Sequence, residues 1–251
     1  MKSLFKISIL LLILFSTSAQ ALEKVPYQLL TQMSIKTGVY YDEIDEMNQF
    51  LRNYGFPVID RANVFYMGFN YAANHIPFLI YPLPNIVIST DFRFPFARQV
   101  QKESTVSLNS YSCFLEAMGF HDIINHITIY PIIGLGISWT NLDIKGNYVE
   151  LDSPGVFNAG KYGYRFSKFN ALFNLGGGAD YRLTLSEDYR KKVSMLFGLN
   201  VRYSLSLDVF GMYNKSWTSN GQSVPLPSYH APGLSIELKI GIEYMQRITD
   251  K

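Results

Sequence analysis

The clearest pattern in this chain is a strict alternation of apolar and polar residues over positions 233–247. Every second residue from Leu234 to Ile242 is a large aliphatic side chain, whereas the residues between them include Glu237 and Lys239. Successive side chains of a β-strand point to opposite faces, so this period of two gives a strand with one apolar and one charged face. A helix would scatter both sets around its axis. The pattern therefore predicts a strand.

The same alternation recurs in seven earlier segments, although it is weak over 104–120, where both faces are mixed. The eight predicted strands cover 27–41, 63–73, 84–96, 104–120, 127–145, 164–185, 191–208 and 233–247. Repeated strands with one apolar face and no long helical segment predict an all-β domain.

The segment 42–54 has the periodicity of a helix instead. Met47 and Leu51 lie four residues apart on one apolar stripe, which predicts a short α-helix in the first long connection. Asp42 is a candidate cap for its first turn, and Gly55 is suited to end it.

The first residues, 1–21, have the organisation of a secretory signal peptide. A basic start and a short apolar run precede small residues at Ala19 and Ala21, which form an A-x-A cleavage site before Leu22. The apolar run is too short to cross a bilayer as a helix. We therefore expect cleavage after Ala21 and a mature barrel domain over 22–251.

The balance of charges argues against a nucleic-acid partner. The leader would remove Lys2 and Lys6, leaving 20 of the 22 basic residues against 20 acidic ones. A neutral mature chain has no electrostatic footprint for nucleic acid. The only cysteine, Cys113, excludes an internal disulfide, and no motif calls for a cofactor.

Alternating strands occur both in soluble barrels and in membrane barrels, and three features favour the membrane. The apolar faces of the last four predicted strands are long enough for tilted spanning strands. The opposite faces mix Gly, Ser and Asn with charges of both signs, as a narrow lumen needs. The connections after predicted strands four (121–125) and six are short, whereas 42–62, 146–163 and 209–232 are long and polar, as in outer-membrane barrels.

With its export signal and eight alternating strands, the chain resembles the small eight-stranded outer-membrane β-barrel family over about 27–247. The resemblance implies an antiparallel up-and-down transmembrane barrel in the bacterial outer membrane, with both chain ends on the periplasmic side and the helix in the first external loop. It also implies a monomer that contacts outer-membrane lipid.

Eleven charged residues have the inward parity and are predicted to form a lumenal network. They are Lys36, Asp91, Arg93, Glu116, Lys168, Asp180, Arg182, Arg202, Glu237, Lys239 and Glu243. The list contains nearly equal numbers of positive and negative residues. This near balance favours a closed set of ion pairs, because an unpaired buried charge costs several kcal/mol. We therefore predict a plugged lumen of structural role, with Arg202 and Glu237 as one pair.

Two other functions stay open at this point. Some small outer-membrane barrels hydrolyse or transfer the acyl chains of lipid A, which requires a serine, a histidine base and an orienting acid. Ser235 with His230 is the nearest candidate, although the parity of Ser235 is inward and no acid is assigned. The other alternative is a soluble periplasmic barrel with its apolar faces inward around a small ligand. No histidine has the spacing of a metal site.

The long connections are the candidate recognition elements. The segment 213–229 combines Trp217 and tyrosines with flexible polar residues, a composition that is typical of binding loops. Extracellular partners are therefore expected at the loops 42–62, 146–163 and 209–232. A structural or surface-interaction role follows as the primary prediction.

Overall fold

The structure is a computed structural model that describes residues 28–42, 44–59, 63–74, 86–96, 99–101, 104–124, 126–146, 163–207, 217–219, 222–224, 226–227, 229 and 233–247. Within these residues the helix is α1 (Asp45–Asn53). The strands are β1 (Gln28–Tyr41), β2 (Asn63–Ala73), β3 (Ile86–Pro95), β4 (Gln99–Gln101), β5 (Ser104–Gly119), β6 (His121–Ile124), β7 (Ile127–Gly146), β8 (Tyr164–Glu187), β9 (Lys191–Ser206), β10 (Trp217–Ser219), β11 (Gln222–Val224) and β12 (Leu234–Arg247).

Eight long strands close into an antiparallel barrel in the described part of the chain. The wall runs β1, β2, β3, β5, β7, β8, β9 and β12, and β12 pairs with β1 to close it. Each wall strand pairs with its neighbours in sequence order, so the topology is up-and-down. Closure satisfies the backbone groups that an open sheet would leave at its edges. The predicted eight-stranded barrel is confirmed.

The predicted turn at 121–125 is wrong, because most of it continues the barrel wall as β6. His121 lies opposite Ile129 and Asp122 opposite Thr128, with a register irregularity between Asp122 and Ile124. A bulge of this kind allows a strand to bend and to continue its pairing.

The helix α1 lies in the first long loop, as predicted, but Asp42 does not cap it. The N-cap position is Ile44, which has no side-chain cap hydrogen bond, and Asp42 instead accepts a hydrogen bond from Tyr229 Oη at 2.7 Å. Gly55 follows the helix with a positive φ of 74°, the conformation that commonly ends a helix at glycine. No described helix is long and apolar enough to cross a bilayer.

Large apolar side chains cover the outside of the barrel. Ile35, Leu238 and Leu135 are 62%, 60% and 58% exposed, and similar side chains surround the wall on β2, β3, β8 and β9. A continuous apolar exterior of this extent is incompatible with water and is suited to hydrocarbon. The soluble alternative, in which the apolar faces point inward, is therefore wrong.

The apolar exterior ends at a row of three neighbouring aromatic residues on β5, β7 and β8. Tyr111, Trp139 and Phe169 lie opposite one another; this is the boundary row. One step further along the same strands, the outward residues are Asn109, Asn141 and Ser167. Asn141 Oδ1 accepts hydrogen bonds from Trp139 Nε1 at 2.9 Å and from Ser167 Oγ at 2.8 Å. Aromatic side chains are enriched at membrane–water interfaces, so the row marks the edge of the membrane section.

Beyond the boundary row, the inner face of the wall becomes apolar. Val106, Leu108, Leu142 and Phe166 point inward there and are at most 1% exposed. On the outside, Arg165 and Asp143 form an ion pair at 2.6 Å. We call this part of β5, β7 and β8 the external section, because it lies at the end of the long loops. The opposite end, where β1 begins and β12 ends, is the periplasmic end.

Several predictions fall on residues outside the described ones. These are the signal peptide with its cleavage site between Ala21 and Leu22, the segments 147–162 and 208–216 of two predicted loops, and His75 and His230.

Candidate functional site in the barrel interior

A cluster of six charged side chains crosses the lumen in the membrane section. They project from β1, β3, β5, β9 and β12, and each is at most 1% exposed. The members of this central cluster are Lys36, Asp91, Arg93, Glu116, Arg202 and Glu237. Three are basic and three are acidic, so their formal charges cancel.

Glu237 is the most heavily contacted acid of the central cluster. Its carboxylate lies 3.2 Å from Lys36 Nζ and 3.1 Å from Arg93 Nη2, and it also contacts Arg202 Nη1. Tyr66 Oη donates a hydrogen bond of 2.5 Å to Glu237 Oε1. Arg202 and Glu237, the two residues paired from the sequence, are thus in contact, but as part of a larger network.

The other two acids connect strands from different sides of the barrel. Asp91 Oδ1 lies 2.6 Å from Lys36 Nζ, and Asp91 Oδ2 lies 3.7 Å from Arg202 Nη1. Glu116 Oε2 lies 2.9 Å from Arg202 Nη2, while Glu116 Oε1 accepts a hydrogen bond of 2.6 Å from Asn174 Nδ2. Arg202 therefore reaches acids on β3, β5 and β12 and bridges the width of the lumen.

Aromatic rings fill the space beside the central cluster. Arg93 Cζ lies 4.4 Å from the centroid of the Phe114 ring and 5.6 Å from that of Tyr66, within the range of cation–π contacts. Gly38 makes room for this packing, because a Cβ atom there would lie 3.0 Å from Tyr66 Oη. At this height, charged and aromatic side chains therefore pack against each other inside the lumen.

A second group of charges lies closer to the periplasmic end. Lys239 Nζ is 2.6 Å from Asp180 Oδ2 and donates a hydrogen bond of 2.9 Å to Tyr130 Oη. Arg182 Nε is 3.0 Å from Glu243 Oε1. These contacts extend the polar interior along the barrel axis.

Lys168 is predicted with the ion pairs but lies apart from the central cluster, toward the external end. Its Nζ donates a hydrogen bond of 3.1 Å to the backbone carbonyl of Tyr229, and Tyr229 Oη donates to Asp42 Oδ2. The reason is its position on β8, only one residue before the boundary-row Phe169. Lys168 therefore ties the wall to the last long loop.

Apolar side chains close the interior at the external end. The helix α1 and the segment that contains β10 and β11 pack against the inner face of the external section. The buried members of this external apolar cluster are Ile44, Met47, Leu51, Phe56, Ile59, Val106, Leu108, Leu142, Ile144, Phe166, Trp217, Val224, Leu226 and Tyr229. The described parts of two long loops thus pack against the inner face of the external section.

A smaller apolar cluster lies at the periplasmic end of the lumen. Its buried members are Leu30, Ala72, Val87, Met118, Tyr130 and Ile132. Along β1, the inward residues pass from Leu30 in this cluster, through Gln32 and Lys36 in the polar interior, to Tyr40 near the external end. The central cluster therefore lies between two apolar clusters, whereas Arg182 of the second group reaches the exposed Asp122 at the periplasmic end.

The expected recognition role of two aromatic residues does not agree with their burial. Trp217 is 0% exposed and Tyr229 is 1% exposed, and Trp217 Nε1 donates a hydrogen bond of 2.9 Å to the carbonyl of Pro227. Both side chains pack in the external apolar cluster, because Trp and Tyr bury large apolar areas once their polar atoms have partners. They are not available to an external ligand.

Sequence reasoning missed the neutral partners of the network. Tyr66, Tyr130, Asn174 and Asn200 each hydrogen-bond a buried acid. All have the inward parity of their strands, so a search for uncharged polar residues at that parity would have found them. Asp122 was missed because its segment was assigned to a turn; it pairs with Arg182 at 2.7 Å.

The serine and histidine proposed for acyl chemistry do not form a described site. Ser235 is fully buried and faces the lumen, and His230 lies outside the described residues. Among the described residues, no group of three or more His, Cys, Asp or Glu side chains is arranged to hold a metal ion.

A closed barrel with an apolar outside and a charged inside defines a class of protein. Only helices and closed barrels satisfy all backbone groups within a bilayer, and an eight-stranded barrel whose three longest connections, after β1, β7 and β9, all lie at one end is the outer-membrane type. The chain is therefore an eight-stranded transmembrane β-barrel of the outer membrane.

No protein-family model and no curated protein matches the sequence. Among solved structures, Ail, the attachment invasion locus protein of Yersinia pestis, is 10% identical over 88% of this chain and 99% of its own, with a TM-score of 0.38. A major outer membrane protein from Thermus thermophilus is 12% identical over 86% and 99%, with a TM-score of 0.40. Neisserial surface protein A is 8% identical over 88% and 97%, with a TM-score of 0.36. These values are too low for an argument, so the class rests on the geometry of the barrel itself.

Proposed function

We propose that this chain is a non-conducting outer-membrane barrel with a structural or surface-interaction role. The observation that carries the proposal is the neutral central cluster, enclosed between the two apolar clusters. Such an interior holds a barrel rigidly but offers no continuous aqueous path. Because the barrel is closed, its described wall strands leave no edge for pairing with another chain, which supports a monomer.

Ion conductance in planar bilayers tests the closed lumen directly. The wild-type protein is expected to give no steady openings. A double variant, Arg202→Ser with Glu237→Ser, removes one charge of each sign and shortens two side chains of the central cluster, so small discrete openings are expected. Steady large-conductance openings of the wild-type protein would overturn the proposal.

A matched variant at the external mouth tests whether the central cluster or the external apolar cluster closes the lumen. Trp217→Ser disrupts the external apolar cluster but leaves the central cluster in place. If the central cluster closes the lumen, this variant stays closed. Openings of Trp217→Ser equal to those of the double variant would assign the closure to the folded loops instead.

The surface role requires the external section to face the medium. Lys145, an exposed residue near the end of β7, and Lys191, at the start of β9, lie at opposite ends of the barrel. Labelling of Lys145→Cys by an impermeant thiol reagent is expected in intact cells, whereas Lys191→Cys is expected to react only after permeabilisation. The wild-type protein, which has only Cys113, is the control. The reverse pattern would overturn the orientation.

Within the described residues, the external surface available for partners is mainly polar. The apolar face of α1 is buried, and its exposed face carries Asp45, Glu46 and Arg52. The outer face of the external section carries Asn141, Asp143 and other polar residues. A surface partner is therefore expected to meet polar and charged groups, not Trp217 or Tyr229. The proposal includes no enzymatic reaction.

A further inference from the structure

A charged cavity lies at the periplasmic mouth of the barrel, and one of its lining residues, Arg182, also pairs with the buried Glu243 at 3.0 Å. Its volume is about 160 Å³, and it is bounded by the turn between β8 and β9, the end of β12 and β6. Five basic residues line it: Arg182, Arg190, Lys191, Lys192 and Arg247. We call this cavity the rim pocket.

Three acidic residues also line the rim pocket, and each forms ion pairs or hydrogen bonds there. Asp122 pairs with Arg182 at 2.7 Å. Glu187 is shared between two bases, at 3.4 Å from Lys192 Nζ and 3.7 Å from Arg247 Nη2.

The third acid, Asp188, binds the backbone of the turn between β8 and β9. Its Oδ1 accepts hydrogen bonds of 2.7 Å from the backbone N–H groups of both Arg190 and Lys191. The basic residues that line the pocket therefore exceed the acidic ones by two. The Asp188 carboxylate also holds the backbone that carries Arg190 and Lys191.

We propose that the rim pocket binds the dianionic phosphate group of inorganic phosphate or of a phosphate monoester. A phosphate monoester carries a charge of about −1.5 to −2 near neutral pH, which matches the excess of two positive charges. Arginine presents a planar set of donors that fits phosphate oxygens, and Arg190 and Arg247 supply two such groups beside two lysines.

The position of the pocket admits two sources of the phosphate group. It opens toward the periplasm, close to Leu185 and Tyr189, which are 58% and 69% exposed. Exposed apolar and aromatic residues at this height indicate the surface of the inner leaflet. The phosphate could therefore belong to a soluble compound or to a monoester lipid headgroup.

Calorimetric titration of the complete, detergent-folded protein with inorganic phosphate at low ionic strength tests the proposal. Saturable binding with a Kd of about 1 mM or tighter is expected. The double variant Lys192→Gln with Arg247→Gln should bind at least about tenfold more weakly, because it removes two charge-assisted contacts. Lys145→Gln with Arg165→Gln removes the same two residue types at the external end and should bind like the wild type.

If the rim pocket is a binding site and not only a network of ion pairs, removal of a competing acid should raise its affinity for phosphate. Glu187→Gln removes the acid that competes for Lys192 and Arg247, so it should strengthen phosphate binding several-fold. The proposal is overturned if the wild type shows no saturable binding, if the Lys192 and Arg247 variant binds like the wild type, or if Glu187→Gln brings no gain.

The source of the phosphate is decided in lipid nanodiscs. Phosphatidic acid, a monoester lipid, should abolish binding of inorganic phosphate if its headgroup occupies the pocket, whereas phosphatidylcholine should not. Unchanged binding in both lipids assigns the pocket to a soluble phosphate compound. Either result keeps the phosphate chemistry, and neither depends on the conductance of the lumen.

Discussion

The membrane section and the external section of this barrel share the strands β5, β7 and β8 but place their apolar side chains on opposite faces. Below the boundary row, Leu135 and Ile137 point outward and Ser138 points inward. Above it, Asn141 and Asp143 point outward, and Leu142 points inward. One continuous strand thus serves two environments.

The difference shows that the solvent, and not the strand, decides which face is apolar. Hydrocarbon surrounds the membrane section, so its outside is apolar and its charges are enclosed. Water surrounds the external section, so it packs like a soluble sheet against α1 and the last long loop. The backbone alternation continues across the boundary, and only the residue types change places.

The largest effect is expected from Glu237→Gln in the membrane section. Removing this charge leaves Lys36, Arg93 and Arg202 with an uncompensated buried charge, which should lower the free energy of unfolding by about 3–5 kcal/mol. Urea unfolding of the protein in phospholipid vesicles measures the change. Glu187→Gln, at the exposed rim, is the matched control and should cost less than about 1 kcal/mol. Equal losses would mean that the central cluster contributes no special stability.

A buried apolar residue of α1 tests the soluble-like packing against the external section. Leu51 is 0% exposed in α1, and Leu51→Ala should destabilise the external apolar cluster by about 2–5 kcal/mol. The expected result is faster limited proteolysis of the loops while the barrel keeps its folded migration in cold detergent gels. Asn53→Ala, on the exposed side of the helix end, should change neither. Unfolding of the whole barrel by Leu51→Ala would show that the two sections are one cooperative unit.

The outer face of the wall is apolar in the membrane section and polar in the external section. The same added charge should therefore lower the stability of the barrel by different amounts in the two sections. Leu135→Lys places a charge in hydrocarbon and should cost about 2–4 kcal/mol. Ser107→Lys places it on the outside of the external section, opposite Asp143, and should change stability by no more than about 0.5 kcal/mol. Unfolding in vesicles measures both variants. Similar costs at the two positions would place the membrane edge beyond Ser107.

The smallest effect is a dependence on pH at the periplasmic turn, outside both sections. The backbone N–H groups of Arg190 and Lys191 hold the pKa of Asp188 below its ordinary value. A carboxyl group with a lowered folded-state pKa stabilises the fold above its unfolded pKa and loses this contribution as the pH falls through the folded value. Asp188→Asn should therefore lower Tm slightly at neutral pH and not in acid. Ser186→Ala is the control, and a Tm difference that persists unchanged in acid would contradict the assignment.

Much of the barrel could be predicted because its strands obey a local rule. The period of two identified all eight wall strands, and each of the eleven charged residues with the inward parity is buried. The weak alternation over 104–120 has a physical cause that was not recognised. In the external section the apolar residues Val106 and Leu108 point inward. From the boundary row onward, Tyr111 and Leu115 point outward, so the apolar face of this strand changes at the boundary row.

The folding of the loops could not be read in the same way. The composition of 213–229 is equally suited to a binding loop and to a buried cover. The burial of Trp217 depends on the external apolar cluster, most of whose members are distant from it in sequence. The position of Asp42 was misjudged for the same reason. Its partner, Tyr229, lies 187 residues away, so the nearby helix was the only visible candidate.

The sequence by itself determined which side of the wall each strand residue occupies, because alternation is a property of a single strand. Only the tertiary structure decided which inward charges meet. Arg202 reaches Asp91 and Glu116 as well as Glu237 because strand register and barrel closure bring three distant strands around one guanidinium group. Such neighbours depend on the whole wall, and no local pattern in any one strand encodes them.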